Sequence, residues 1–176
     1  MYGLSLGGSR TLPDGTVMSS TATESAIYRD SNSNALADIA FHFWATDLRT
    51  DLANNVIPYF PVRSNVSAGS NTIPPYWNPK NDPANWQHMV TFTVGLGLTN
   101  TLSVPGLEWT GDTWGPGGGY DNLLAGTQTW PATGSDASPG NVYDLWHAAI
   151  NSRGQAFAAD NPTQLGVALK KSLNRV

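Results

Sequence analysis

Met89-Val-Thr-Phe-Thr-Val-Gly-Leu-Gly-Leu98 is the stretch on which the fold turns. Val90, Phe92, Val94 and Leu96 alternate with Thr91, Thr93, Gly95 and Gly97, the period-2 pattern of a strand with two different faces. Its glycine side suggests close approach by a helix or another backbone. Downstream, Val142, Leu145, Trp146 and Ala149 form one stripe of a helix from about Val142 to Asn151, which Ser138-Pro139 or Asn141 can start and Arg153-Gly154 closes. Gln155 to Ala159 is a short apolar run fit for a buried strand. Asn161-Pro162 then opens a last helix whose Leu165, Ala168, Leu169, Leu173 and Val176 share a face, with Asn161 and Gln164 as a capping pair. Strand, helix, strand, helix in that order implies a parallel pair joined by a right-handed crossover.

Upstream, Leu36, Ile39, Ala40, Phe43 and Trp44 recur at helical spacing, with Asp38, His42 and Thr46 on the other side. This predicts a helix from about Asn34 to Leu48, capped by Ser33 or Asn34. The expected organisation is a single α/β domain over 1–176. Residues 1–33 form an arm around the turn Pro13-Asp14-Gly15, and 34–176 form a core carrying irregular loops at 54–85 and 99–140. Prolines such as Pro58, Pro61, Pro74 and Pro75 keep the first loop out of regular ladders.

The 176 residues suffice to bury about 70% of the unfolded surface. Only 12% of residues are charged, against roughly 25% in an average soluble domain, so polarity comes from Asn, Ser, Thr and Gly, as is common on secreted and cell-surface proteins. A net charge of −4 with nine scattered basic residues excludes the cationic stripe that nucleic acid requires. No apolar run reaches the length of a membrane span, and Met1-Tyr2-Gly3-Leu4 lacks the marks of a signal peptide, so the chain reads as cytoplasmic or as a piece of something longer. Zero cysteines remove disulfides, thiolate metal sites and cysteine nucleophiles together.

No catalytic or cofactor-binding residue is expected. Gly95-Leu96-Gly97 starts like a dinucleotide fingerprint, but position 100 is Asn and no helix opens there. His42, His88 and His147 lie on different elements without metal-ligand spacing, and no Gly-x-Ser-x-Gly elbow presents a nucleophile. Glu24 and Glu108 are the only glutamates, which leaves Glu108 with Asp112 or Asp121 as the one carboxylate pairing to consider. Trp109, Trp114, Tyr120 and Trp130, in a Gly-rich stretch, are the candidate surface-interaction residues, because indoles offer broad apolar area with one donor. The alternative is that they staple a long loop to the core.

Three segments together resemble the type IV pilus tip-associated adhesin and biogenesis family (PilC/PilY). They are Ala35-Leu-Ala-Asp-Ile-Ala through Asp47-Leu-Arg-Thr-Asp-Leu-Ala-Asn-Asn55, Trp86-Gln-His-Met-Val-Thr-Phe-Thr-Val-Gly-Leu-Gly97, and Asp144-Leu-Trp-His-Ala-Ala-Ile-Asn-Ser-Arg-Gly-Gln155. The last helix belongs with them. The resemblance implies the C-terminal half of a von Willebrand A-like, doubly wound α/β region, followed in the full protein by a β-propeller that this chain would not reach. It implies an extracellular or pilus-tip location, with other pilus-tip or pilin proteins and host or abiotic surfaces as partners, supporting pilus assembly, adhesion and twitching motility without catalysis. The Asp-x-Ser-x-Ser metal loop of von Willebrand A domains has no counterpart, since Asp30-Ser-Asn-Ser-Asn34 has Asn where both hydroxyls belong and Asp136-Ala-Ser-Pro-Gly140 keeps only one. No metal is therefore expected. The alternative function is a secreted carbohydrate-binding module or glycan-acting enzyme using the tryptophan-rich loop. A sheet of two strands would also leave one unpaired edge, so self-association, or a compensating strand from 2–33 or from the long loops, is expected.

Overall fold

The computed structural model describes residues 8–173. Strands β1 (Ser9–Thr11) and β2 (Val17–Ser19), β3 (Val66–Ala68) and β4 (Asn71–Ile73), and β5 (Thr93–Leu96) and β6 (Ala156–Ala159) form three two-stranded sheets. They are accompanied by helices α1 (Leu36–Trp44), α2 (Gly119–Ala125), α3 (Pro139–Asn151) and α4 (Pro162–Leu173). The protein is thus mixed α/β, as expected.

β5 and β6 are parallel, in register from Thr93 opposite Ala156 to Leu96 opposite Ala159, and α2 and α3 lie on the crossover between them. The ladder is shorter than the sequence pattern. The preceding residues lie instead against α1 and the end of α3: the Met89 amide donates to the Phe43 carbonyl at 3.2 Å and the Thr91 amide to Ser152 Oγ at 2.9 Å. The outer side of β6 is stopped by a side chain. Buried Thr113 donates through Oγ1 to the Ala156 carbonyl at 2.7 Å and accepts from the Ala156 amide at 3.0 Å, supplying both bonds that a neighbouring strand would. β5 has no second strand partner among the described residues. Among the described residues no compensating strand forms there, because the two local hairpins pair with themselves through tight turns at Gly15 and Gly69, both with positive φ.

α1 is correct in place and wrong in orientation. Its buried residues are Ala37, Asp38, Ala40, Phe41 and Trp44, whereas Leu36, Ile39 and Phe43 are 38–39% exposed. Close approach to α3 decides this: Ala37 and Ala40 meet Ala148, and the Asn151 amide group donates to the Ala37 carbonyl at 3.2 Å. Nor do Ser33 or Asn34 cap the helix. Asn34 sits at φ 62°, and the free first-turn amides of Leu36 and Ala37 donate to the Asp144 carboxylate, on α3, at 2.8 and 3.0 Å. On α4 only Ala168 of the expected face is buried, while Leu169 and Leu173 are exposed and Val176 lies outside the described residues. Its expected cap is present: Asn161 Oδ1 accepts from the Gln164 amide at 3.0 Å.

The main core runs from Leu12, Met18, Ile27 and Tyr28 near the N-terminus to Ile150 and Ala156. Trp146 of α3 is its centre, with Trp109, Trp130 and Tyr143 at 4.8, 5.4 and 6.2 Å between rings. α3 ends in a Schellman motif: the Arg153 amide donates to the Ile150 carbonyl and the Gly154 amide to that of Ala149. The left-handed position belongs to Arg153, at φ 63°, and not to Gly154. The turned-in Arg153 guanidinium is fully buried between the rings of Tyr28 and Trp44, at 4.3 and 4.5 Å, and burial pulls its pKa down to about 9. The close approach expected at the glycine side does not occur: a side chain at Gly95, in β5, would make only ordinary contacts, while Gly97, just past the strand, is required by its φ of 67°.

Candidate functional site

The four aromatic candidates do not share one platform. Trp130 is buried, donates from Nε1 to the Ile27 carbonyl at 2.7 Å and stacks on His147 at 4.5 Å, so it fastens the loop to the core. Trp109 is half-buried against Trp146 and lines a cavity of about 320 Å³ with Phe157, Asp160 and Lys171, beyond the end of β6. Trp114 and Tyr120 instead line a separate cavity of about 420 Å³, together with Val62, Lys80, Asp121 and Leu124. A smaller cavity of about 170 Å³ shares Val62, Lys80 and Trp114 and adds Tyr59 and Pro61.

This groove joins the two long loops. Asn81 anchors one wall, its side-chain amide donating to the Val62 and Pro75 carbonyls at 2.6 and 2.7 Å, while its Oδ1 accepts from the Val62 amide at 2.9 Å. Lys80 is held next to that anchor by its own amide, which donates to Asn78 Oδ1 at 2.9 Å, and its ammonium stands 5.7 Å from the centre of the Tyr120 ring. The Tyr120 hydroxyl is buried without a hydrogen-bond partner, and burial followed by the Asp121 charge pushes its pKa up, so it stays a neutral donor. Asp121 accepts from the Gly117 amide at 2.8 Å. Lys80 and Val62 were missed because they come from the proline-rich loop, whose sequence has no periodicity. The signal was the aromatic and Asn cluster Tyr76-Trp-Asn-Pro-Lys80.

The histidines fill separate places. His42 Nδ1 lies 3.5 Å from the Arg10 guanidinium, and its pKa is lowered by burial and then by that charge. His147 Nδ1 lies 3.2 Å from the Asp30 carboxylate. Burial would raise the Asp30 pKa, but bonding and charge from His147, with the Asn32 contacts, outweigh it and hold the carboxyl below its ordinary value. The metal-like stretch at Asp30 is therefore a local turn, in which Asn32 donates to both carboxylate oxygens at 2.9 Å. Among the described residues no three His, Asp or Glu side chains converge as metal ligands.

His88 is bonded on both sides, Nδ1 at 2.7 Å from the Trp86 carbonyl and Nε2 at 2.9 Å from Asp82 Oδ2, while Asp82 Oδ1 accepts from Trp44 Nε1 at 3.1 Å. Two acceptors require two ring donors, hence an imidazolium. Burial alone lowers the His88 pKa, but the hydrogen bond and charge of Asp82, with the Trp86 carbonyl, prevail and raise it. A raised folded-state value means that this stabilisation is fully present below the unfolded-state value of about 6.5 and disappears as pH rises through the folded-state value. The melting temperature is therefore expected to fall as pH rises above about 6.5, and His88→Gln to abolish that portion of the slope in thermal scans from about pH 6 to about pH 9. An unchanged slope in the variant would assign the effect elsewhere.

Together these features define a mixed α/β unit that presents long, aromatic-anchored loops around a ligand-sized groove. Among the described residues no helix is long and apolar enough to cross a membrane. The protein known as type IV pilus biogenesis factor PilY1 in Pseudomonas aeruginosa strain PAK is 52% identical over 168 residues, 96% of this chain and 13% of that protein. Its counterparts in strains PAO1 and UCBPP-PA14 are 49% and 46% identical over 95% of the chain. The chain belongs to this PilY family and spans 13–14% of the length of these relatives. No protein-family model and no solved structure matches it.

Proposed function

We propose that this chain is the segment through which a type IV pilus biogenesis factor contacts other pilus-tip or pilin proteins and surfaces outside the cell, supporting assembly, adhesion and twitching without making or breaking covalent bonds. The observation that carries the reading is the identity of about one half to proteins named as pilus biogenesis factors, sustained along nearly the whole chain. Its fold reading is the last part of a von Willebrand A-like sheet. Support comes from β5: the Thr93 and Gly97 amides point to β6, so by alternation those of Val94 and Leu96 point away, toward an edge with no strand partner among the described residues. The half-exposed Leu36, Ile39 and Phe43 stripe, extended by Met89, gives apolar cover on which a further strand and helix of a longer polypeptide can pack.

Two readouts of one experiment test this. In piliated cells the double variant Ile39→Asp, Phe43→Asp in the full-length protein is expected to reduce sheared surface pili and attachment severalfold. In hydrogen exchange, the Val94 and Leu96 amides should be fast in the isolated chain and slow in a protein that includes the preceding polypeptide. Wild-type piliation and attachment would refute the contact role; fast exchange in the longer protein would refute the continued sheet.

A further inference from the structure

We propose that the groove between Trp114, Tyr120 and Lys80 binds an acidic saccharide, with a sugar ring against the indole and its carboxylate at the Lys80 ammonium. The inference deepens the surface-contact reading and rests on it for biological setting alone, because the chemistry lies within this chain. The main cavity, about 420 Å³, is within the range of small-molecule sites, roughly 300–1,000 Å³. The adjoining cavity of about 170 Å³ shares Val62, Lys80 and Trp114 with it, so the same ammonium and indole serve two neighbouring compartments, as a ligand of linked rings requires.

Three features specify the ligand. The half-buried Trp114 ring offers an apolar face suited to the C–H face of a pyranose. Tyr120 lines the cavity and its buried hydroxyl has no hydrogen-bond partner, a donor left at an energetic cost that a ligand hydroxyl or carboxylate reaching it relieves. Lys80 makes no ion pair among the described residues, while Asp121 is already engaged by the Gly117 amide. The amide bond does not cancel the Asp121 charge, so the lining carries one side chain of each sign, and the unpaired Lys80 ammonium is the group with which an anionic ring, unlike a neutral one, can pair. An extended peptide is less well served. β3, which runs along the wall, has three residues and is backed by α2, with Gly69 packed against the Ala125 side chain, so it cannot supply the main-chain ladder that peptide capture by a sheet edge needs.

Glycan-array screening of the purified chain, followed by calorimetry with a galacturonate trisaccharide and its neutral galactose counterpart, tests the site. The acidic trisaccharide is expected to bind about tenfold or more tighter than the neutral one, with affinity falling as salt rises. Lys80→Met should erase the preference, Tyr120→Phe should weaken binding about tenfold, and Trp114→Ala should remove it. Lys80→Met and Tyr120→Phe each alter one polar group, and circular dichroism confirms their fold. The site is overturned by absence of acidic glycans among the bound set, by affinity indifferent to Lys80→Met and Tyr120→Phe, or by selective capture of acidic peptides in place of sugars. Because pilus assembly is not the readout, each of these results leaves the biogenesis reading standing.

Discussion

Gly154→Ala is expected to cost at least about 3 kcal/mol of stability, the upper end of what overpacking does, and to leave little folded chain near physiological temperature. A β-carbon at this position would overlap the Thr91 carbonyl oxygen and crowd its carbon. Relief needs one of two backbones to move, and both are held. The Gly154 amide closes the end of α3 by donating to the Ala149 carbonyl at 2.8 Å, and the Thr91 amide is tied to Ser152 Oγ at 2.9 Å, two residues before β5 begins. Separating them would pull α3 from the strand on which it packs. Urea denaturation with circular dichroism measures the effect, and a midpoint within error of the unsubstituted protein would show that this contact yields. Gly15 is the control: its side-chain position meets nothing within 4 Å, so Gly15→Ala should cost only the strain of its positive φ, about 1 kcal/mol.

Trp146→Ala should cost about 3–5 kcal/mol, the range for deleting a large buried aromatic. Trp146 joins the parts of the molecule that sequence separates. Its ring meets Trp109 and Trp130 edge-on, at 87° and 83°, and so carries the beginning and end of the second long loop. Its Nε1 donates to the Thr113 carbonyl at 3.0 Å, and Thr113 in turn makes both side-chain bonds to Ala156 that close the outer edge of β6. The deletion therefore opens a cavity, strands a buried carbonyl and loosens the strand edge together. Trp146→Phe keeps part of the volume but not the donor, and should cost about half as much, since an unpaired buried acceptor alone costs about 1–3 kcal/mol. Denaturant midpoints measure both. Near-ultraviolet circular dichroism should lose most of its signal in the alanine variant, because the tryptophan cluster that gives it is dismantled. Equal losses in the two variants would show that the Thr113 bond, lost in both, and not volume, carries the effect.

Legibility from sequence followed the length and regularity of each pattern. The strands at Thr93–Leu96 and Ala156–Ala159 and the helices on either side could be placed from the spacing of their apolar residues, although the faces buried on α1 and α4 differ from those stripes, and the parallel pairing followed from chain order. The hairpin at 66–73 and α2 could not, since each is short and surrounded by prolines and glycines. Of the candidate residues, Trp114 and Tyr120 meet in one groove, Trp130 turned out to be a staple, and Trp109 faces a different cavity.

The amino-acid sequence by itself determined the mixed α/β class, the order of the parallel pair and its flanking helices, and the kinship with the pilus biogenesis family, all of which are carried by local periodicity and residue order. Tertiary structure alone decided which side of α1 is buried, that Arg153 turns into the core between two rings, and that Lys80 meets Tyr120 across 40 residues of chain. The physical reason is that these outcomes depend on what lies opposite. Three alanines let α1 and α3 approach closely enough to outweigh a larger apolar stripe, and a buried cation or hydroxyl takes its environment from segments that no sequence spacing connects.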